Sequence, residues 1–440
     1  MRQTSQGPGP DADSTAMPAQ MLTVPGVGGA AAPSEVEVLL RSRRVRTVYQ
    51  RLVDLASGAT VGFEALTRGP AGPLEAPSAL FHAAYGEGRV AELDWVARAS
   101  ALRTALDAGL DRDLSWFVNT EPASMRTACP PDLRPIVSAA REGLRVVMEV
   151  TERAVTADPA ALLAGVERAR AAGWSIALDD VGADPASLAM MPFLRPDVIK
   201  LDLRLIQNRP SLEIARTVNA VLAQSERTGA TILAEGIETA EHADIARAMG
   251  ATVGQGWLFD RPGPLPAAAG LVTPLATGGA PTPRGAPATP FAAVAAHRPV
   301  NRTRKDLLLP MSFHLEHAGL DPNEPIVLLG CFQHTGHFTP MTRHRYADLA
   351  RTAAFVGALG AGMPVAPAPG VRGADLADDD PLRGEWNVIA IGSRFAGALV
   401  ARDCGDTGPD AARRFDYAIT HDRDLVIEAA NTLLTRLLPR

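Results

Sequence analysis

Eight short, apolar, β-rich runs recur between residues 47 and 257, and seven carry a carboxylate, an amide or a lysine near their C-terminal ends. The runs are 47–53, 61–66, 114–119, 145–150, 174–179, 197–202, 230–235 and 251–257. Such runs, bounded by turn residues and rich in Val, Ile, Phe and Trp, predict strands. Between them lie longer stretches with apolar residues at helical spacing, at 161–173, 211–229 and 238–250. Each ends on a glycine (Gly173, Gly229, Gly250), the residue that most readily takes the left-handed conformation of a helix stop. Strands this apolar need cover on both faces. Eight of them with intervening helices in about 230 residues predict an α/β fold, a (β/α)8 TIM-like barrel.

In a parallel barrel the polar strand ends gather at one rim, where such folds build their sites. The groups so placed are Glu64, Asn119, Glu149, Asp179, Asp180, Lys200, Asp202, Glu235 and Gln255. One carboxylate at the end of an apolar strand would mean little. Several together are costly to desolvate unless they share a counter-charge. A divalent cation cluster is the economical answer, and an all-oxygen donor set points to Mg²⁺ or Mn²⁺. Lys200 adds an independent hint. The chain has 43 basic residues, of which only Lys200 and Lys305 are lysines. An ammonium at an acidic rim in so arginine-rich a chain suggests selection for a compact charge, although simple neutralisation of Asp180 or Asp202 would also place it there. Asp197 reads as a capping or loop carboxylate, and Glu121 and Asp184 as solvent residues.

The 39 glycines and 36 prolines are unevenly spread. Residues 1–33 lack hydrophobic periodicity and read as a disordered leader. A Pro/Ala/Gly-rich tract from Pro262 to Pro299 reads as extended and partly stiffened. The expected division is therefore a leader at 1–33, a barrel at 34–268, a linker at 269–299 and a second unit at 300–440. A formal charge of −6 argues against DNA as a partner. No apolar run approaches the length of a membrane span, and no secretory signal opens the sequence. Three scattered cysteines offer no disulfide framework, so the expected compartment is cytoplasmic.

The ordered motifs VYQR (48–51), FEAL (63–66), FVNTEP (117–122), VMEVTE (147–152), ALDDVG (177–182), DVIKLD (197–202), AEGIE (234–238) and GQGWLFDRP (254–262) make the barrel resemble the EAL domain of cyclic di-GMP phosphodiesterases. The resemblance implies a barrel whose first strand runs antiparallel, and metal-dependent hydrolysis of cyclic di-GMP to linear pGpG. It implies two ions, Mg²⁺ or Mn²⁺, held by Glu64, Asn119, Glu149, Asp179 and Asp180. Lys200 would polarise the attacking water and Glu235 would act as base. Gln50, Arg68 and Gln255 would contact the dinucleotide, with Glu152 and Glu238 as supporting residues. A homodimer through the barrel is a further expectation. Two departures stand out. The family pattern DDFGTGYSS is replaced by Asp179-Asp180-Val181-Gly182-Ala183-Asp184-Pro185-Ala186-Ser187, and Arg51 stands where proline is usual. With the metal ligands kept and the following loop altered, a hydrolase and a non-hydrolysing cyclic di-GMP receptor both remain open.

In the tail, the runs 326–332, 386–392 and 397–403 predict strands of a smaller α/β domain. GCFQ (330–333), the RYADLA helix (345–350) and the order of elements resemble the DICT sensory domain, which implies regulation by an unknown signal. Six of nine histidines fall between His297 and His344. His314/His317 and Cys331/His334/His337 match no structural zinc spacing, and the segment reads as a loop.

Overall fold

The computed structural model describes residues 33–151, 158–183, 186–208, 211–277, 287–320 and 324–437. The expected leader lies outside them but for its last residue. Eight strands close a barrel in sequence order. They are β1 (Arg46–Asp54), β2 (Thr60–Arg68), β3 (Ser115–Asn119), β4 (Arg145–Thr151), β5 (Ser175–Val181), β6 (Val198–Leu201), β7 (Thr231–Ala234) and β8 (Val253–Gly254). β1 pairs antiparallel with both β2 and β8, and all other neighbours are parallel. The hairpin between β1 and β2 makes this possible, since two adjacent strands joined by a tight turn must run in opposite directions.

The helices begin and end where their side chains allow. Ser211 caps the helix Leu212–Thr228 by accepting the Ile214 N–H, and Gly229 ends it at φ 74°. Thr239 caps Ala240–Ala248 through the His242 N–H. Both termini therefore satisfy backbone groups that the helix itself cannot.

The barrel interior is filled by Leu52, Val61, Phe117, Val147, Ala177, Val198, Leu233 and Val253, and Leu275 joins this cluster from outside the barrel strands. The tract expected as a linker is thus partly built into the barrel. Val272 bridges Thr60, and the Arg145 guanidinium donates to Leu275 O at 3.1 Å. The Thr231 hydroxyl donates to Ala276 O. A single buried leucine within a Pro/Ala/Gly-rich tract has no periodic signal, and this strap is invisible until the barrel offers it a socket.

The C-terminal unit is a seven-stranded mixed sheet in the order β12-β11-β10-β13-β14-β15-β9. Its strands are β9 (Asn301–Arg304), β10 (Val327–His334), β11 (Phe355–Ala361), β12 (Val371–Asp375), β13 (Glu385–Ile391), β14 (Ala396–Asp403) and β15 (Arg414–Thr420). The three strands expected from sequence are β10, β13 and β14, the centre of this sheet. The histidine segment is not a loop. His314 and His317 lie on the helix Lys305–His317, His334 ends β10, and His344 lies on the helix Pro340–Leu349. A further helix, Pro290–Ala295, occupies the end of the expected linker, with Thr289 as its cap.

Candidate active site

The rim is assembled by parallel register. Asn119 sits beside Glu149, and Thr151 beside Asp179, on neighbouring strands. Gln50 faces Glu64 across the antiparallel β1–β2 pair. Strand alternation then sends Glu64, Glu149, Asp179 and Lys200 to one side.

Lys200 is fully buried and forms the hub. Its Nζ stands 2.6 Å from Glu149 Oε1, 2.8 Å from Glu235 Oε1, 3.0 Å from Asp179 Oδ1 and 3.8 Å from Glu64 Oε1. Burial pulls the ammonium down. Asp179, Glu149, Glu235 and Glu64 outweigh it, and Lys200 is held well above the usual lysine range. Burial, then Glu64, pushes Glu149 well above the ordinary carboxylate range against the pull of Lys200. Glu235 is pushed up to about 8, by burial first and by Asp179 and Glu64, with Lys200 opposing. Four carboxylates share one ammonium, so the excess negative charge adds to the burial that raises Glu149 and Glu235.

The amides complete the rim. Gln255 Nε2 donates to Glu64 Oε2 at 2.5 Å and to Gln50 Oε1 at 3.0 Å. Asn119 Nδ2 donates to Glu64 Oε1 at 3.3 Å. Gln50 Nε2 reaches Asp260 O at 3.1 Å, tying β1 to the segment after β8. Asp180 follows Asp179 with φ 57°, a left-handed conformation that aspartate tolerates better than most residues.

The donor set fits a divalent cation. Oxygens of Asp179, Asp180 and Glu235 lie within 4.8 Å of one another. Glu149 gives one oxygen to Lys200 as an ion pair, and its other buried carboxylate oxygen has no donor. A buried oxygen without a donor, among carboxylates in excess of ammonium, suits a hard cation.

Two expected residues stand apart. Arg68 is half-buried, donates to the Thr67 carbonyl at 2.8 Å, and makes no ion pair with the carboxylate cluster. Glu238 is exposed, and its backbone N–H donates to His242 Nδ1. Glu152 lies outside the described residues, as does Asp184. Of the other carboxylates, Asp197 is buried and accepts the Ile176 N–H at 2.8 Å. Asp202 caps the helix Leu203–Gln207. Glu121 is not a solvent residue: it is half-buried and accepts the Tyr85 hydroxyl at 2.6 Å.

Sequence reasoning missed the pair Asp94–Arg98, buried on the helix Val90–Ala108. Asp94 accepts the Glu121 N–H at 3.1 Å, and Arg98 donates to Ser124 Oγ at 2.8 Å. Together they hold the turn that follows Asn119. The signal was present as two opposite charges four residues apart on an otherwise apolar helix face.

In the tail, Cys331 is fully buried and donates to Leu382 O. Among the described residues the one group with metal-ligand proximity is Asp179, Asp180 and Glu235, and the histidines form none. No helix among these residues is long and apolar enough to cross a membrane.

Fold and rim define an eight-stranded α/β barrel with an acidic, cation-attracting site at the C-terminal ends of its strands. The EAL domain family matches residues 34–262, and the chain belongs to that family. The family of the sensory domain in diguanylate cyclases and two-component systems, DICT, matches residues 292–403. Cyclic di-GMP phosphodiesterase NbdA of Pseudomonas aeruginosa is 31% identical over 244 residues, which cover 53% of this chain and 31% of NbdA. The probable cyclic di-GMP phosphodiesterase PdeB of Escherichia coli is 29% identical over 227 residues, 50% of this chain and 43% of PdeB. The chain thus spans less than half the length of either relative. Klebsiella pneumoniae BlrP1, solved with manganese and cyclic di-GMP at pH 9.0, aligns at 30% identity and a TM-score of 0.45, covering 50% of this chain and 56% of that one.

Proposed function

We propose that the barrel hydrolyses one phosphodiester of cyclic di-GMP to give linear pGpG, and that the C-terminal sheet regulates it. The observation that carries this reading is Lys200, fully buried within 4 Å of Glu64, Glu149, Asp179 and Glu235. Glu64, Asn119, Glu149, Asp179, Asp180 and Glu235 would hold two divalent cations, Mg²⁺ or Mn²⁺. Bound there, such ions lower the pKa of a water and offset the charge of a phosphodiester in displacement at phosphorus.

The chain's own groups do the rest. Lys200 Nζ, held as an ammonium by its carboxylates, orients the attacking water by hydrogen bonding to its oxygen. Glu235, 2.8 Å from Lys200 Nζ, would accept the water's proton in its ionised form. Gln255 holds Glu64 by donating to its carboxylate and donates also to Gln50, and both amides would contact the dinucleotide from there. Arg68, at the end of β2, would meet a phosphate of the dinucleotide.

The test is incubation of the purified chain with cyclic di-GMP and Mg²⁺ or Mn²⁺, with pGpG followed by chromatography and EDTA as control. Metal-dependent pGpG is the expected result. A chain that binds cyclic di-GMP under both conditions and yields no product would overturn the hydrolase in favour of a receptor.

A further inference from the structure

The C-terminal sheet carries a cavity of about 740 Å³ between the helix Pro290–Ala295 and the sheet. That volume is in the range of small-molecule sites. Its apolar lining includes Phe291, Ala292, Ala295 and Pro381, and its charged lining is Glu385, Arg402 and Asp403. The floor is pinned: Glu385, buried, accepts the Phe291 N–H at 3.1 Å and the Asn387 amide at 3.1 Å. Both bonds occupy one carboxylate oxygen and hold the helix against β13.

The exposed charge at the mouth is Arg402. Its guanidinium lies 4.6 Å from the centroid of the Phe291 ring. Arg402 lies opposite Glu385 on β13, and its ion pair is with Asp416 at 3.6 Å, a carboxylate that Arg302 also engages with two bonds of 2.7 and 3.2 Å. A cation stacked on an aromatic ring, whose ion-pair partner is shared with a second arginine, can take an anion. Small side chains along the wall leave room for a flat ring beside it.

We propose that this cavity binds a small aromatic anion, with its ring against Ala292 and Ala295 and its charge on Arg402. The helix lining it is the first described element after the strap that closes the barrel, which makes it a place for signal input. The site is separate from the barrel rim, and its test needs neither metal nor cyclic di-GMP.

The probe is 8-anilinonaphthalene-1-sulfonate, a planar anion whose fluorescence rises in apolar surroundings, titrated into the full chain in EDTA. Saturable binding of one equivalent is expected. Ala292→Trp, a change at an exposed helix position that fills the cavity, should abolish it. Arg402→Gln, exposed and outside the core, should weaken it about tenfold, the loss expected for one charge-assisted contact. Thermal melting of both variants checks that the fold is kept. Parental affinity in folded Ala292→Trp would overturn the site, and an unchanged affinity in Arg402→Gln would overturn its preference for anions.

Discussion

Lys200 and Glu149 face each other with neither side chain exposed, Nζ 2.6 Å from Oε1. Charges this deep are tolerated only in company, and Glu235 and Asp179 share the same ammonium. Removing one partner of such a group strands the others. Lys200→Met should therefore destabilise the metal-free chain by roughly 3–5 kcal/mol, the usual cost of an uncompensated buried charge. Mn²⁺ should recover part of that loss by replacing the missing positive charge. Chemical denaturation in EDTA and in Mn²⁺ reads both effects, and equal stability of parent and variant in EDTA would refute the argument.

Glu64 accepts hydrogen bonds from Gln255 and Asn119, so its carboxylate joins three strands. Saturating Mn²⁺ at 100 times its Kd should stabilise the parent by about 2.7 kcal/mol. Glu64→Ala should lose most of that increment and keep the fold. Turnover should fall by at least roughly 100-fold, the upper end of the cost of losing a mere supporting partner. Unchanged hydrolysis in this variant would remove Glu64 from the site.

Gly256, directly after Gln255, has φ 156°, and a Cβ there would meet Ile237 O at 2.1 Å. Backbone cannot yield as a flexible side chain can. Gly256→Ala should cost more than about 2 kcal/mol and displace Gln255 from Glu64 and Gln50. A lowered melting temperature with weakened cyclic di-GMP binding is the expected outcome. A neutral substitution would show that this turn is looser than its geometry.

Cys331 lies inside β10 with its thiol pushed up to about 12, chiefly by burial. Thiolate is the reactive form, so Cys331 should resist a disulfide reagent in the native chain at neutral pH. Cys404, partly exposed, should react first. Counting thiols released before and after addition of guanidinium checks this, with one thiol appearing only on unfolding.

Asp403 is set below the ordinary aspartate range. Burial opposes this, but the Gly405 N–H, Gln333 and Arg413 outweigh it. The folded state therefore binds fewer protons at this group than the unfolded state does as pH falls toward 4. Its stabilising effect is present above the unfolded pKa and is lost as pH drops through the lower folded value. Asp403→Asn should flatten the acid limb of a stability–pH curve below about pH 4. A parallel curve would place the acid sensitivity elsewhere.

The eight barrel strands, the rim residues Glu64, Asn119, Glu149, Asp179, Lys200, Glu235 and Gln255, and the central strands β10, β13 and β14 are all legible in the chain. They follow from local pattern: an apolar run long enough to be a strand, with a polar group where it ends. What the chain alone leaves unsaid depends on partners far away in sequence. Gln50 meets Gln255 across 205 residues, and Leu275 finds its socket only once the barrel has closed. The histidine segment reads as a loop in the sequence, whereas burial of Leu308 and Leu315 holds a helix there despite Pro310. Residue types and their order along the strands thus determined which groups reach the rim. Barrel closure decided that four carboxylates would converge on one lysine, because only there does desolvation force opposite charges to share a single place.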